Sequence, residues 1–291
     1  MNEAEIDLSQ ARNLFREADP PLLHRWRSLD HELERPLSDV QIDTKFDFRT
    51  EIGPGRDPDA CSPTLRRYHK LLWSKALPDG RDFTLSDASW SQYLHHRSDL
   101  GEFRMTSDTI AATYTLRQTA AVRRILACFP EEDHAAFRAK AYTIAGFLIF
   151  PANTPGRNGR TINQDRGRDP RINDRIDLTL ECIRRHYLGQ PSPLASTLSR
   201  YADFFALFGG FTNYVDFFLL NDLVSNDAST VRFFLPLNFD ASGLPADADA
   251  YRAYRERMLA FLDARSRRIE AYAKASQPEG AMMVRDDQQS Q

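Results

Sequence analysis

The spacing of apolar positions predicts that most of the regular structure is helical. Helical spacing recurs in residues 63–75, 113–128, 131–140 and 247–275. The first of these helices has a clear start signal, because Ser62 offers a capping hydroxyl and Pro63 fits the first turn. The last is the longest, and its apolar stripe consists of Tyr251, Tyr254, Met258, Leu262, Ile269 and Tyr272.

Shorter segments complete the predicted secondary structure. Two aromatic-rich helices are separated by Gly209-Gly210, and another helix is expected around Ser89–His96. Alternation in "KFDFR" (45–49) predicts an edge strand, and the β-branched and aromatic residues from Thr143 onward favour a buried strand over a continued helix. Together the elements predict a mainly helical α+β protein with a single globular core and a small sheet.

Composition along the chain suggests three parts. Residues 1–40 are predicted to form an N-terminal helical extension, residues 41–275 a single globular domain, and the polar residues 276–291 a disordered tail. No basic flank precedes an apolar run near the N-terminus, so no signal peptide is predicted. The longest apolar run, around Ile144–Phe150, is far too short for a membrane span, and a cytoplasmic protein without membrane contact is expected.

Total composition limits the possible partners and compartments. Apolar residues make up 42% of the chain and include 19 Phe, which is enough to bury a sizeable core. The net charge of −3 gives no global attraction to nucleic acid or to an anionic membrane, so any such attraction must be local. The three cysteines are far apart and form no CxxC pair, which argues against a structural zinc site and a disulfide framework.

One stretch departs from this even charge balance. Eight arginines and five carboxylates lie between Arg157 and Arg185, a local charge of +8 − 5 = +3. Asp169-Pro170 has the form of a helix start, and Gly189 has the form of a helix end. A charged helix is therefore predicted between them, with an arginine-rich loop before it.

Three carboxylates of this predicted helix are the candidate catalytic groups. Asp174, Asp177 and Glu181 are spaced by three and then four residues, which would place them on one face. There they can divide acid and base roles or hold a divalent cation with a substrate phosphate. The alternative is a salt-bridged helix whose acids serve its own arginines. Because those arginines repel a dication, no tight metal site is predicted in the free protein.

The preceding loop, "NTPGRNGRTINQDRGRDP" (153–170), is the candidate ligand-binding segment. Glycine lets backbone N–H groups approach a phosphate, and arginine offers it a planar bidentate fork. A nucleotide or RNA is the expected ligand, and an ordinary surface turn is the alternative. The side chains predicted to bind the ligand are Arg157, Arg160, Asn163, Arg166, Arg175 and Arg185. No P-loop, GxGxxG, GxSxG or HExxH motif is present in the sequence. The sequence therefore identifies no cofactor, which is unknown at this point.

Three segments resemble a known family. They are "DPDACSPTLRRYHKLLWSKALPDG" (57–80), "TINQDRGRDPRINDRIDLTLECIRRHYLG" (161–189) and "DFFALFGGFTNYVDFFLLNDLV" (203–224). This pattern resembles a family of bacterial cytosolic proteins classed as a domain of unknown function, and the likeness covers roughly residues 44–236. The resemblance implies a bacterial cytosolic protein and implies no mechanism.

Two functional hypotheses follow. The first is a protein that binds a phosphate-bearing ligand, a nucleotide or RNA, at the 157–185 cluster, either as an enzyme acting on that ligand or as a binding protein only. The second is a non-catalytic interaction or regulatory protein in which the same cluster is a structural salt-bridge network. The two differ in whether the arginines line an open cleft or are satisfied internally.

Overall fold

The computed structural model describes residues 41–53, 55–87, 93–114, 120–154 and 158–276. The described residues belong to one compact unit that begins at residue 41. The predicted N-terminal extension and the predicted tail beyond Ser276 lie outside the described residues. Ser276 itself follows the last helix as its C-terminal cap.

Ten α-helices are found in the described part of the chain. They are α1 (Pro58–Cys61), α2 (Pro63–Trp73), α3 (Ala120–Leu126), α4 (Glu131–Ala141), α5 (Ile162–Arg168), α6 (Ile176–Tyr187), α7 (Ala195–Ser199), α8 (Ala202–Ala206), α9 (Phe211–Phe217) and α10 (Ala248–Ala275). Short 3₁₀ turns occur at Phe48–Thr50, Ile144–Gly146 and Asn221–Leu223. None of these helices combines the length and apolar composition that a membrane span requires.

The strands form two small antiparallel sheets in the described residues. Their bounds are β1 (Lys75–Ala76), β2 (Asp82–Phe83), β3 (Ser86–Asp87), β4 (Leu94–Ser98), β5 (Gly101–Thr109) and β6 (Phe147–Ala152). Strands β1 and β2 pair as a hairpin, and the four-stranded sheet has the order β3-β4-β5-β6. In that sheet Ser107 is paired with Ile149 and Asp108 with Leu148. The mainly helical α+β fold predicted from the sequence is confirmed.

Helix α10 packs against the 3₁₀ turn Ile144–Gly146, which precedes β6, and the buried face of α10 forms part of the core. Its Arg265 is wholly buried and has no carboxylate partner in the described residues. Instead, its guanidinium donates to the carbonyls of Ala145 (2.8 Å), Phe147 (2.9 Å) and Phe218 (3.1 Å). These carbonyls satisfy a buried cation that would otherwise be costly, so Arg265 joins three chain segments.

Three local predictions were wrong. "KFDFR" does not form a strand, because Asp47 accepts from the backbone N–H of Arg49 and caps the 3₁₀ turn Phe48–Thr50. Of the helix predicted around Ser89–His96, residues 89–92 lie outside the described residues, and residues 94–96 belong to β4, whose pairing with β5 overrides the local helical preference. The third wrong prediction is the helix start at Asp169-Pro170, where the structure has a turn. The buried strand expected from Thr143 is present and begins at Phe147.

Candidate functional site

A cavity of about 580 Å³, here called the cleft, lies where α1, the end of β5, α5 and the turn before α6 meet. Its size falls in the range of small-molecule sites. Polar and charged side chains supply much of its lining. They are Arg49, Arg56, Asp57, Asp59, Asp108, Thr109, Thr113, Tyr114, Tyr142, Asn163, Gln164, Arg168, Asn173 and Asp174.

The turn between α5 and α6 differs from the predicted helix start. Asp169 caps the C-terminal end of α5, and α6 begins only at Ile176. Asp169 accepts from the backbone N–H of Arg171 at 2.9 Å, which favours a turn. Consequently Asp174 precedes α6 and does not share a helix face with Asp177 and Glu181.

Backbone strain is concentrated at the cleft. Five non-glycine residues in the described part of the chain have positive φ, and three of them line the cleft. They are Tyr114 (φ 59°), Asn173 (48°) and Asp174 (61°). A bulky residue such as tyrosine rarely adopts this conformation, and its persistence requires support from surrounding structure. Such strain is a recurring property of binding and catalytic sites.

A second loop holds the strained turn in place. The backbone N–H of Gly243 donates to the carbonyl of Pro170 at 2.8 Å. A Cβ atom at position 243 would lie 2.7 Å from the carbonyl oxygen of Arg171, so only glycine permits this approach. Nη1 of Arg175 donates to the Gly243 carbonyl at 3.3 Å. The turn is therefore fixed at both ends.

Arg166 of α5 lies behind the cleft and is wholly buried. Its guanidinium donates to Oδ2 of Asp108 at 2.6 Å, to the carbonyl of Asp174 at 2.6 Å and to that of Thr109 at 3.1 Å. It therefore positions two of the cleft's acidic residues. Burial raises the pKa of Asp108 to about 6. The positive charge of Arg166 lowers the pKa but only partly offsets the burial, and the negative charge of Asp174 raises it further.

Asp59 is the second perturbed acid of the cleft. Burial, together with the carboxylates of Asp108 and Asp57, raises its pKa well above the usual range, and a hydrogen bond with Ser107 offsets this in part. Its Oδ1 is buried and accepts no hydrogen bond from the described residues. Asp59 and Asp108 are thus two neighbouring carboxyl groups whose environments favour the protonated form, which is typical of acid–base sites.

Ser107 is not an activated nucleophile of the serine–histidine type. The indole N–H of Trp73 donates to Nδ1 of His69 at 3.0 Å, so the neutral ring carries its proton on Nε2. That Nε2 lies 2.9 Å from Oγ of Ser107 and donates to it. Burial lowers the pKa of His69 to about 3, so the ring stays neutral and cannot serve as the base that Ser107 would need.

Two cationic side chains at the cleft have no partner among the described residues. Arg56 and Arg168 are both exposed, and neither side chain makes a hydrogen bond or an ion pair there. Arg49, by contrast, pairs with Asp47 and lies over the ring of Tyr142. The cleft therefore carries two exposed guanidinium groups without a partner in the described residues, together with the partly buried carboxyl groups of Asp59 and Asp108.

Four of the eight charged residues predicted for the site, Arg175, Asp177, Glu181 and Arg185, pair with one another outside the cleft. Asp177 has no exposed side-chain area, accepts from Nε of Arg175 at 3.1 Å and from Nη2 at 2.5 Å, and also accepts from the backbone N–H of Phe234. Glu181 accepts from Arg184 and Arg185, each at 2.7 Å through Nε. Burial alone would raise the pKa of Glu181, but these two hydrogen bonds outweigh it and lower the pKa.

The remaining predicted residues are distributed differently. Asn163 and Asp174 line the cleft, and Arg166 supports it from behind. Arg160 is exposed and pairs with Asp165, away from the cleft lining. Arg157 lies outside the described residues. The ligand-binding and catalytic roles of these groups stay predictions, and the structure places only two of them in the cavity.

Sequence reasoning did not single out the residues that dominate the cleft: Arg56, Asp57, Asp59, Asp108 and Arg168. One signal was available in "GPGRDPD" (53–59), a glycine- and proline-rich turn that carries an arginine and two carboxylates. No local signal marks Asp108, which lies in a strand of otherwise ordinary composition. In the part of the chain that the structure describes, no three His, Cys, Asp or Glu side chains are arranged to hold a metal ion.

The fold and the site define a mainly helical α+β protein with a strained cleft that combines partly buried carboxyl groups and exposed arginines. The chain belongs to a family of unknown function, DUF6994, whose family model matches residues 42–269. The matched range includes every residue that lines the cleft. No curated protein and no solved structure matches the chain.

Proposed function

We propose that the cleft binds a small phosphate-bearing ligand of nucleotide size and that the protein is an enzyme acting on it. The observation that carries the proposal is the combination, in one cavity, of two unpaired arginines with two protonatable carboxyl groups. Arginine binds phosphate bidentately through its planar fork. A cavity of about 580 Å³ accommodates a nucleotide rather than an RNA helix, so the nucleotide is the favoured form of the ligand.

Arg56 and Arg168 are assigned to the phosphate, because both are exposed and neither has an internal partner in the described residues. Asp59 and Asp108 are assigned to acid–base work. Asp108, with a pKa of about 6, exchanges a proton near neutral pH and suits the role of base. Burial, together with the carboxylates of Asp108 and Asp57, also raises the pKa of Asp59, which suits the role of acid.

A specific observation favours the structural hypothesis for the rest of the cluster. The pairs Arg175–Asp177 and Glu181–Arg184/Arg185 are satisfied internally. These charges join the start of α6 to the neighbouring loop and secure its C-terminal turn. Their role is to hold the scaffold beside the cleft, and a non-catalytic binding protein is the alternative to the enzyme.

Calorimetric titration with ATP and AMP tests the proposal. We expect Arg56→Ala and Arg168→Ala each to weaken binding about tenfold or more, since a hydrogen bond to a charged group contributes about 1.5–3 kcal/mol. Their unfolding midpoints should match wild type, because both side chains are exposed. Arg123→Ala, at an exposed arginine of α3 outside the cleft, is the matched control.

Arg160→Ala adds a further arm, because Arg160 represents the loop predicted from the sequence. Loss of binding in Arg160→Ala, with wild-type affinity in Arg56→Ala and Arg168→Ala, would move the phosphate to that loop. Absence of binding by either nucleotide would contradict the proposal for this ligand class.

We also propose that the protein works in a bacterial cytoplasm. The resemblance of residues 57–80, 161–189 and 203–224 to bacterial cytosolic proteins supports this. All three cysteines, Cys61, Cys128 and Cys182, are free thiols, which agrees with a reducing compartment.

A further inference from the structure

One arginine of the cleft presents a fixed planar surface rather than a free charge. Arg49 lies in the 3₁₀ turn Phe48–Thr50, and its guanidinium donates to the carboxylate of Asp47 from Nε at 2.9 Å and from Nη2 at 2.5 Å. The guanidinium also lies over the ring of Tyr142, with its central carbon 4.8 Å from the ring centroid. Asp47 therefore holds one edge of the guanidinium plane, and Tyr142 covers one face.

Backbone and core contacts fix Arg49 and Tyr142 beside each other. The backbone N–H of Phe48 donates to the carbonyl of Tyr142 at 3.1 Å, which joins the 3₁₀ turn to the C-terminal end of α4. The wholly buried ring of Phe48 makes a T-shaped contact with Phe147, and Phe147 makes another with Tyr142. The carboxylate of Asp47 also accepts from the backbone N–H of Arg49 and caps the turn. These contacts position the pair before any ligand binds.

Part of this fixed plane is accessible from the cleft. Arg49 and Tyr142 both line the cleft, and 34% of the Arg49 side chain is exposed. Since Tyr142 covers one face of the guanidinium, the opposite face is the one that a ligand can reach.

The ion pair with Asp47 decides what Arg49 can bind. Asp47 balances its charge, so Arg49 attracts a phosphate less strongly than Arg56 and Arg168, which have no partner in the described residues. What Arg49 offers instead is a planar, delocalised and weakly hydrated group. Nucleobases stack on such guanidinium planes, and because stacking uses the face of the group it leaves the ion pair intact.

We infer that the Arg49–Tyr142 pair is the subsite for the base of a nucleotide, which stacks on the exposed face of the Arg49 guanidinium. This inference rests on the proposed function, which places the phosphate at Arg56 and Arg168. The ligand then spans the cleft, with its phosphate at the two unpaired arginines and its base at the paired one. A nucleotide should therefore bind more tightly than a sugar phosphate that has no base.

Calorimetric titration of the wild-type protein with AMP and with ribose 5-phosphate measures what the base contributes. Both ligands carry a ribose and, at pH 8, a phosphate dianion, but only AMP has a base. AMP should bind about tenfold more tightly, which is the order of magnitude that stacking of one base contributes. Equal affinities for the two ligands, both weakened in Arg56→Ala, would overturn the base subsite and leave the phosphate site standing.

Arg49→Lys separates stacking from charge. Lysine keeps a positive charge beside Asp47 but has no planar group, so the affinity for AMP should fall to nearly that for ribose 5-phosphate, which should not change. Arg56→Ala is the matched variant of the phosphate site and should weaken both ligands by the same factor. If Arg49→Lys keeps the preference for AMP, the base binds elsewhere. If it weakens both ligands equally, Arg49 binds the phosphate, and either result overturns the inference.

Variants at Tyr142 test the support of the guanidinium independently. Tyr142→Leu removes the ring beneath Arg49 and should reduce the preference for AMP, whereas Tyr142→Phe keeps the ring and should retain it. The same preference in both variants would count against the paired subsite. Failure of AMP, ATP and ribose 5-phosphate to bind the wild-type protein would overturn the proposed function, and this inference with it.

Discussion

Nη1 of the wholly buried Arg166 lies 2.6 Å from Oδ2 of Asp108, a residue that lines the cleft. Among the described residues, this is the only ion pair behind the cleft at hydrogen-bond distance. The same guanidinium donates to the carbonyl of Asp174. One buried cation thereby connects α5, the end of β5 and the strained turn before α6. Both the shape of the cleft and the charge of Asp108 therefore depend on Arg166.

Removal of Arg166 should destabilise the fold. Arg166→Ala leaves Asp108 without its cation and frees two backbone carbonyls, so we expect a loss of about 3–5 kcal/mol in the free energy of unfolding. Urea denaturation measures this. Arg123→Ala, at an exposed arginine, should stay within about 0.5 kcal/mol of wild type. A similarly small effect for Arg166→Ala would show that the ion pair contributes little to stability.

The two acids of α6 should differ in importance. Asp177 and its partner Arg175 are both buried, so Asp177→Ala should cost about 3–5 kcal/mol. Glu181 is buried, but Arg184 and Arg185 are 20% and 28% exposed, so water replaces part of the lost interaction. Glu181→Ala should therefore cost less, about 1–3 kcal/mol. An equal or larger loss in Glu181→Ala than in Asp177→Ala would contradict the assigned burial.

Asp108 should make stability depend on pH in a specific direction. Its folded-state pKa of about 6 exceeds the unfolded value near 4, so the folded state keeps a proton that the unfolded chain has lost. The resulting stabilisation is complete below pH ~4 and disappears as the pH rises through ~6. The stability of wild type minus that of Asp108→Asn should therefore fall by about 2–4 kcal/mol between pH 4 and pH 7. A pH-independent difference would indicate an unperturbed carboxyl group.

The strain at Asp174 should serve function rather than stability. With φ of 61°, this position suits glycine, whose backbone retains the hydrogen bonds to Arg166. Asp174→Gly should therefore stay within about 1 kcal/mol of wild type, whereas Asp174→Ala should be the less stable of the two. Both variants should bind ATP more weakly in calorimetry. Wild-type affinity in both would show that the Asp174 side chain takes no part in binding.

Local signals in the sequence were sufficient for much of the fold. Ser62-Pro63, Asp247 and Gly209-Gly210 mark helix boundaries that the structure confirms, because caps and glycines act on their immediate neighbours. Asp169-Pro170 has an equally plausible local signal for a helix start, but the helix predicted there was wrong, because the next helix begins at Ile176. There the hydrogen bond from the Arg166 side chain to the Asp174 carbonyl and the close approach of Gly243 hold a turn instead of a helix.

The cleft could be predicted only in part for a related reason. The sequence drew attention to the arginine-rich region, and Asn163, Arg166 and Asp174 do lie at or behind the cavity. Asp59 and Asp108, however, are far apart in the chain and become neighbours only through the contact between α1 and β5. Charge density identified the region but could not distinguish paired arginines from free ones.

The central claim is that a phosphate group binds at Arg56 and Arg168 in the cleft. A crystal structure of the protein grown with tungstate, a phosphate analogue whose anomalous scattering locates it directly, tests this. We predict an anomalous peak within hydrogen-bond distance of the guanidinium group of Arg56 or Arg168, and its loss in the Arg56→Ala/Arg168→Ala variant. Tungstate bound only at other sites, with these two arginines facing solvent, would contradict the claim.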